Sequence, residues 1–273
     1  MIVSTDWLFS QLGNADVRIV DIRGRVETSE PRYHAEKDAY QKEHIPGAVF
    51  VDWTKDIVDL DDPVPVNIAP SKKFKSLMES LGIGENRLVV AYDDHNSMFA
   101  GRLAWALRYY GHENVKILDG GFRLWKLEGR PVNSEIPSYP KANFIPNIRT
   151  QLRLTADEVQ FRSSDTLLID ARRPEVYANG FIPGAVNLPH PTLIDPETGK
   201  FHPVEQLKKA FADAGIDSEK LPQKIMLYCN GGASATVPLT ALALLGRKDA
   251  NLYDGSWNEW GKDPNRPKGK IES

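Results

Sequence analysis

The segment Ile45-Pro46-Gly47-Ala48-Val49 returns unchanged as Ile182-Pro183-Gly184-Ala185-Val186, 137 residues later. Other landmarks accompany each copy in the same order. An Asp-x-Arg precedes it (Asp21-Ile22-Arg23; Asp170-Ala171-Arg172). An apolar run ending in tyrosine follows it (Val89-Val90-Ala91-Tyr92; Ile225-Met226-Leu227-Tyr228), offset by 136. Asp119-Gly120 with Trp125 then matches Asp254-Gly255 with Trp260, offset by 135. Order and near-constant spacing together make this an internal repeat, so one supersecondary plan is used twice.

A chain of 273 residues accommodates two domains of ordinary size. The boundaries expected are 1–130 and 151–273. Pro131, Pro137, Pro140 and Pro146 occupy an extended linker over 131–150, where proline disfavours helix and removes backbone donors. Short apolar runs alternate with helical patterns in each half. Strands are predicted at Val17–Ile22, Leu88–Tyr92, Val115–Leu118, Leu167–Ala171, Ile225–Tyr228 and Asn251–Tyr253. Helices are predicted at Lys72–Leu81, Gly101–Tyr110, Val204–Ala214 and Val237–Leu245, each followed by a glycine suited to a left-handed cap. Thr155-x-x-Glu158 reads as a capping box. Strands apolar on both faces belong in parallel sheets covered by helices on both sides. The fold class is therefore α/β, with two tandem domains, each a mainly parallel sheet flanked by helices.

Composition narrows the function. With 41% hydrophobic and 26% charged residues, the chain has the make-up of a soluble globular protein. A formal net charge of -3 gives no reason to expect nucleic acid or an anionic membrane as partner. No apolar run reaches the ~20 residues that span a bilayer, and Met1–Trp7 lacks the form of a secretory signal. One cysteine excludes an internal disulfide framework and suggests a cytoplasmic location.

That cysteine, Cys229, directly follows the strand Ile225–Tyr228. It opens the loop Asn230-Gly231-Gly232-Ala233-Ser234-Ala235, which leads into a helix. Ligands of open α/β sheets bind beyond the carboxyl ends of strands. Loop N–H groups and the following helix start form an anion site, which would stabilise a thiolate, the nucleophilic form. A small buried hydrophobe is the alternative reading of a lone cysteine.

Together with Tyr253-Asp254-Gly255-Ser256-Trp257-Asn258-Glu259-Trp260-Gly261, these features resemble the tandem-domain rhodaneses, the thiosulfate and 3-mercaptopyruvate sulfurtransferases. The resemblance implies that Cys229 is catalytic and that Asn230, Gly231, Gly232, Ala233 and Ser234 bind substrate. Asp93 occupies the corresponding place in the first half, which is then inactive and serves as support. The implied mechanism is attack of the Cys229 thiolate on the outer sulfur of a small-molecule donor. The resulting persulfide passes its sulfur to cyanide, a thiol or thioredoxin, and no metal or organic cofactor is needed. The loop sequence Cys-Asn-Gly-Gly-Ala-Ser lacks the cations usual in thiosulfate specialists, which leans the donor toward 3-mercaptopyruvate. A thiosulfate:cyanide sulfurtransferase proper is the alternative. Gly231 stands where mercaptopyruvate enzymes carry a serine, and Val176 where many members carry a donor-gripping arginine.

Arg172 remains as a candidate substrate ligand, or as a structural ion-pair partner. The first half has extra residues before its IPGAV, carrying Arg23, Arg25, Arg32, Lys37, Lys42 and His44. They are either the source of the missing cation or a solvated charged loop. Asp93-Asp94-His95 lacks a second ligand group for a metal site. Trp125 and Trp260 read as core; Trp257 could line the site. A cysteine phosphatase would need arginine six residues after Cys229, where Ala235 stands. A non-catalytic rhodanese-like module would be expected to lose the cysteine.

Overall fold

The structure is a computed structural model describing residues 1–271. Seven strands lie in the first half: β1 (Ile2–Val3), β2 (Val17–Asp21), β3 (Gly24–Val26), β4 (Tyr33–Ala35), β5 (Val49–Phe50), β6 (Leu88–Tyr92) and β7 (Val115–Leu118). Five lie in the second: β8 (Arg153–Leu154), β9 (Leu167–Asp170), β10 (Ala185–Asn187), β11 (Ile225–Tyr228) and β12 (Asn251–Tyr253). The helices are α1 (Thr5–Ser10), α2 (Lys37–Lys42), α3 (Ser71–Ser80), α4 (Met98–Tyr109) and α5 (Gly121–Leu127), then α6 (Ala156–Gln160), α7 (Pro174–Ala178), α8 (Val204–Asp213), α9 (Thr236–Leu244) and α10 (Ser256–Trp260). The chain packs as two compact units. One is Met1–Leu60 with Ile68–Arg149 and Pro196–Lys200. The other is Asp61–Asn67 with Thr150–Asp195 and the chain from Phe201 on.

The two five-stranded sheets have one plan. Strand order is β1-β7-β6-β2-β5 in the first and β8-β12-β11-β9-β10 in the second, and the strand pairs in both are parallel. Matching strands therefore carry matching landmarks: β2 and β9 end in the Asp of Asp-x-Arg, and β6 and β11 end in Tyr92 and Tyr228. Central strands are buried on both faces, as β2 and β11 are along their whole length. That is why they read as continuous apolar runs. Trp125 and Trp260 are core residues at 0% and 1% exposure. Each indole N–H donates to a proline carbonyl, Pro131 and Pro267, at 2.8 Å.

Local signals place most ends. Thr155 and Glu158 form the reciprocal capping box, and Gly82, Gly111, Gly215 and Gly246 take positive φ after their helices. The helix expected from Gly101 instead begins at Met98. Its early N–H groups are capped by a residue outside the helix, Asp93, which accepts from Phe99 N at 2.9 Å and Ala100 N at 2.8 Å. The strands Val17–Ile22 and Leu167–Ala171 each end one residue sooner, at the aspartate.

Two regions differ from the sequence expectation in kind. The extra charged segment of the first half contains an antiparallel hairpin, β3 with β4. The short strands β1, β5, β8 and β10 and the short helices at either sheet edge carry too few apolar repeats to stand out. Residues 131–149 run along the first unit. Tyr139 Oη donates to Gly47 O at 2.8 Å, Asn133 and His44 pair through their backbones, and Phe144 is buried beside Phe74.

Candidate active site in the second unit

Below the site lies a buried polar network that each unit builds identically. Asp170 sits at the end of β9, fully buried. Its carboxylate accepts from Arg172 Nε at 2.9 and 3.0 Å and from Nη2 at 2.5 Å. Arg172 Nη2 also donates to Gly180 O at 2.8 Å, and the guanidinium lies 4.6 Å above the Trp257 ring. Tyr228, the last residue of β11, bonds Asp170 through its hydroxyl, and that hydroxyl accepts from Ile182 N at 3.0 Å. Burial, with the Asp170 charge beside it, pushes the Tyr228 phenol far above its ordinary range. Burial opposes the Arg172 charge, but Asp170 outweighs it and raises Arg172 further.

The first unit repeats this wiring. Arg23 Nε donates to Asp21 at 3.1 and 2.9 Å, Tyr92 Oη donates to Asp21 at 2.7 Å, and Ile45 N donates to Tyr92 Oη at 3.2 Å. Arg23 stacks on Phe122 at 4.0 Å. A device present in both units, one of which lacks the cysteine, serves the fold. Arg172 is only 3% exposed and bonds Asp170 through Nε and Nη2. This geometry supports a structural role for Arg172, while its Nη1 is buried without a hydrogen-bond partner among the described residues. Trp257 is likewise engaged within its unit, under Arg172 and against Gly180. The three arginines considered in the first half are also held locally: Arg23 by Asp21, Arg25 by Glu27 and Glu36, Arg32 by Glu30.

Cys229 follows β11 and is 2% exposed. Its burial alone would suit an inert apolar side chain; its surroundings are polar backbone. Gly232 adopts φ +75°, and the Thr236 N–H and hydroxyl both return to Ala233 O, at 3.0 and 2.7 Å, to open α9. Gly231, Gly232 and Ala233 are buried, while Asn230 and Ser234 are half-buried. Among the described residues, the N–H groups of Asn230, Gly231, Gly232, Ala233, Ser234 and Ala235 donate to no protein acceptor. Buried amides normally find partners, so these donors form a nest free to receive a negatively charged group.

The register of the repeat sets Asp93 against Cys229, and in the first unit the nest is filled. Asp93 Oδ1 accepts from His95 N at 2.7 Å and Ser97 N at 3.0 Å, and Oδ2 accepts from Phe99 N and Ala100 N. Burial still raises the Asp93 carboxyl above its ordinary range, with the amide donors opposing. All four bonds employ the one Asp93 carboxylate. The sequence reading treated Asp93 as an absence of cysteine and missed that it is an internal anion.

It also missed Ser256. This residue is fully buried and takes φ +52°. Its Oγ accepts from Cys229 N at 3.2 Å and donates to Tyr253 O at 2.7 Å. The signal available was its alignment with Gly121.

The model of the rhodanese-like domain matches residues 4–128 and again 155–263. The chain belongs to the rhodanese family. A Mycobacterium bovis relative named "Putative thiosulfate sulfurtransferase 1" is 33% identical over 96% of this chain and 94% of its own. Sulfur carrier protein TtuD of Thermus thermophilus is 31% identical over 96% and 93%. Among solved structures, SseA of Escherichia coli, described with the 3-mercaptopyruvate sulfotransferases, superposes with a TM-score of 0.84 and 29% identity. That match covers 94% of this chain and 98% of SseA. The protein is thus a sulfurtransferase-family member of two rhodanese-like units, and family membership implies a small-molecule sulfur donor and a thiol acceptor. Among the described residues, no helix is long and apolar enough to cross a membrane.

Proposed function

We propose that Cys229 carries sulfane sulfur as a persulfide, taken from 3-mercaptopyruvate in preference to thiosulfate and passed to an external thiol, thioredoxin or cyanide. The observation that carries this reading is the contrast between the two nests. One collects amides around a carboxylate; the other leaves its amides unpartnered beside the only cysteine in the chain. A persulfide, Cys–S–S⁻, places a negative atom two bonds from Cβ, as aspartate does. By register, the N–H groups of Gly231, Ala233 and Ala235 correspond to those of His95, Ser97 and Phe99, and they would hold the terminal sulfur.

The chemistry balances without a further oxidant. The Cys229 thiolate attacks the mercaptopyruvate sulfur, the S–C bond breaks with its electron pair, and the pyruvate enolate left behind is protonated. With thiosulfate the S–S bond breaks instead and sulfite departs. The acceptor thiolate then attacks the outer persulfide sulfur, forming its own persulfide and restoring the Cys229 thiolate. With no second cysteine, no internal thiol can intercept the sulfur. A cytoplasmic setting, where lone thiols stay reduced, suits this cycle.

Donor preference rests on charge. Thiosulfate brings two negative charges, and the loop supplies Asn230 and Gly231 rather than cations; an unpaired buried charge is costly. Thiosulfate as main donor is the second reading, favoured by relatives named for it. A phosphatase is disfavoured by Ala235, which is fully buried. The test is intact-mass measurement after mercaptopyruvate treatment. A gain of one sulfur atom, about 32 Da, lost again on adding a thiol, supports the reading. An unchanged mass, or a gain that persists in Cys229→Ser, rejects it.

A further inference from the structure

Subtracting one unit from the other separates fold from chemistry, and beside Cys229 one residue left over is Ser256. The turn after β7 is Gly120-Gly121 and the turn after β12 is Gly255-Ser256. Gly121 has φ +56° and Ser256 φ +52°, so the backbone conformation is the same. In the first unit only glycine fits there: a Cβ on Gly121 would lie 2.0 Å from Asp93 O. In the second unit the same turn admits a serine in a left-handed conformation, which is unfavourable for a residue with a Cβ.

Such a conformation persists where the surroundings hold it, and it clusters at functional sites. The surroundings here are specific. Ser256 is 0% exposed, and its one hydroxyl proton is committed to Tyr253 O at 2.7 Å. Its oxygen is therefore an acceptor toward Cys229 N, at 3.2 Å. The next two residues hold the same strand end: Trp257 N donates to Cys229 O at 3.0 Å and Asn258 N donates to Asn230 O at 2.8 Å. Both backbone polar groups of Cys229 are thereby tied to the turn 256–258. In the first unit the corresponding carbonyl is tied in the same way, by Phe122 N to Asp93 O at 2.8 Å, but Gly121 has no side chain to reach the amide.

We infer that Ser256 is a positioning residue for Cys229, tying its main-chain N–H so that Sγ is fixed at the mouth of the amide nest. The inference rests on the persulfide reading. The hydroxyl acts through the cysteine backbone as an acceptor, while its O–H donates to Tyr253 O. Aspartate in the first unit needs no such support, because four amides grip its carboxylate directly. A thiolate makes longer, weaker contacts, so its direction must be set from behind.

The experiment compares wild type, Ser256→Gly and Ser256→Thr by thermal melting, steady-state transfer from mercaptopyruvate to a thiol, and Cys229 alkylation by iodoacetamide at fixed pH. Glycine relieves the strained φ and removes the acceptor. It is expected to hold the melting temperature within about 2 °C or raise it, while kcat falls about tenfold or more and the donor KM changes less than about threefold. The alkylation rate should change with kcat, a readout that a purely structural role would leave alone in a protein equally stable. Threonine keeps the acceptor but worsens the strain, so it should lower the melting temperature and recover kcat per folded molecule relative to glycine. Ser256→Gly with kcat and alkylation within about twofold of wild type, or with losses that only follow unfolding, overturns the inference. If wild type itself takes up no sulfur, the persulfide reading has failed, which the same assay reports separately.

Discussion

The loops Asp93–Ala100 and Cys229–Thr236 stand at the same point of the same sheet plan, and they solve one electrostatic problem in opposite ways. Both place a run of amide N–H groups ahead of a helix. In the first, a carboxylate from the chain itself takes four of them and doubles as the cap of α4. In the second, the side chain is a thiol and six N–H groups stay without a protein acceptor. A nest filled from within serves the fold, and one left open can receive a charge made during reaction. The buried Asp–Arg–Tyr network beneath is the same in both, so it cannot be what distinguishes them.

The largest effect falls on the residue that differs most. Cys229→Ser should reduce sulfur transfer by about 10³-fold or more while the melting curve stays near wild type; appreciable transfer by this variant would mean sulfur resides elsewhere. Next come the shared networks. Arg172→Ala leaves the fully buried Asp170 unpaired, and Arg23→Ala does the same to Asp21. Each should cost about 3–5 kcal/mol in denaturant unfolding. Similar losses in the two units would uphold the equivalence. A mild stability loss with selective damage to donor KM at Arg172 alone would return that residue to the substrate site.

How much of this could be read beforehand follows from the length of the signals. β6, β7, β11 and β12 emerge at their observed bounds because each is a short, mostly buried apolar run set between helical patterns. The repeat gave the equivalence of Asp93 and Cys229 directly. What stayed hidden was any role that depends on backbone direction. Four amides converge on Asp93 only once the loop is folded, and a serine at φ +52° looks like any serine in a string of letters. The hairpin β3–β4 was hidden for a different reason: Gly24–Val26 and Tyr33–Ala35 are short and lie among charges.

A smaller effect tests the filled nest. Asp93→Asn replaces an acceptor-only group with an amide whose NH₂ must face other N–H donors. It should destabilise the first unit by about 2–4 kcal/mol, with kcat per folded molecule unchanged. An Asp93→Asn protein as stable as wild type would show that the four bonds contribute little. Smaller still is donor choice. Asn230→Arg should raise kcat/KM for thiosulfate about tenfold relative to mercaptopyruvate, the worth of one charge-assisted hydrogen bond. Wild type already preferring thiosulfate would reverse the donor assignment.

The central claim is that the second nest holds on sulfur what the first holds on carbon and oxygen. A crystal structure of the donor-treated protein tests it most directly. The account predicts a second sulfur bonded to Cys229 Sγ, directed into the loop, with the N–H groups of Gly231, Ala233 and Ala235 about 3.2–3.8 Å from it, the longer reach expected for a sulfur acceptor. An unmodified Cys229, or a terminal sulfur turned away from those amides while the Asp93 carboxylate keeps its four, would contradict it.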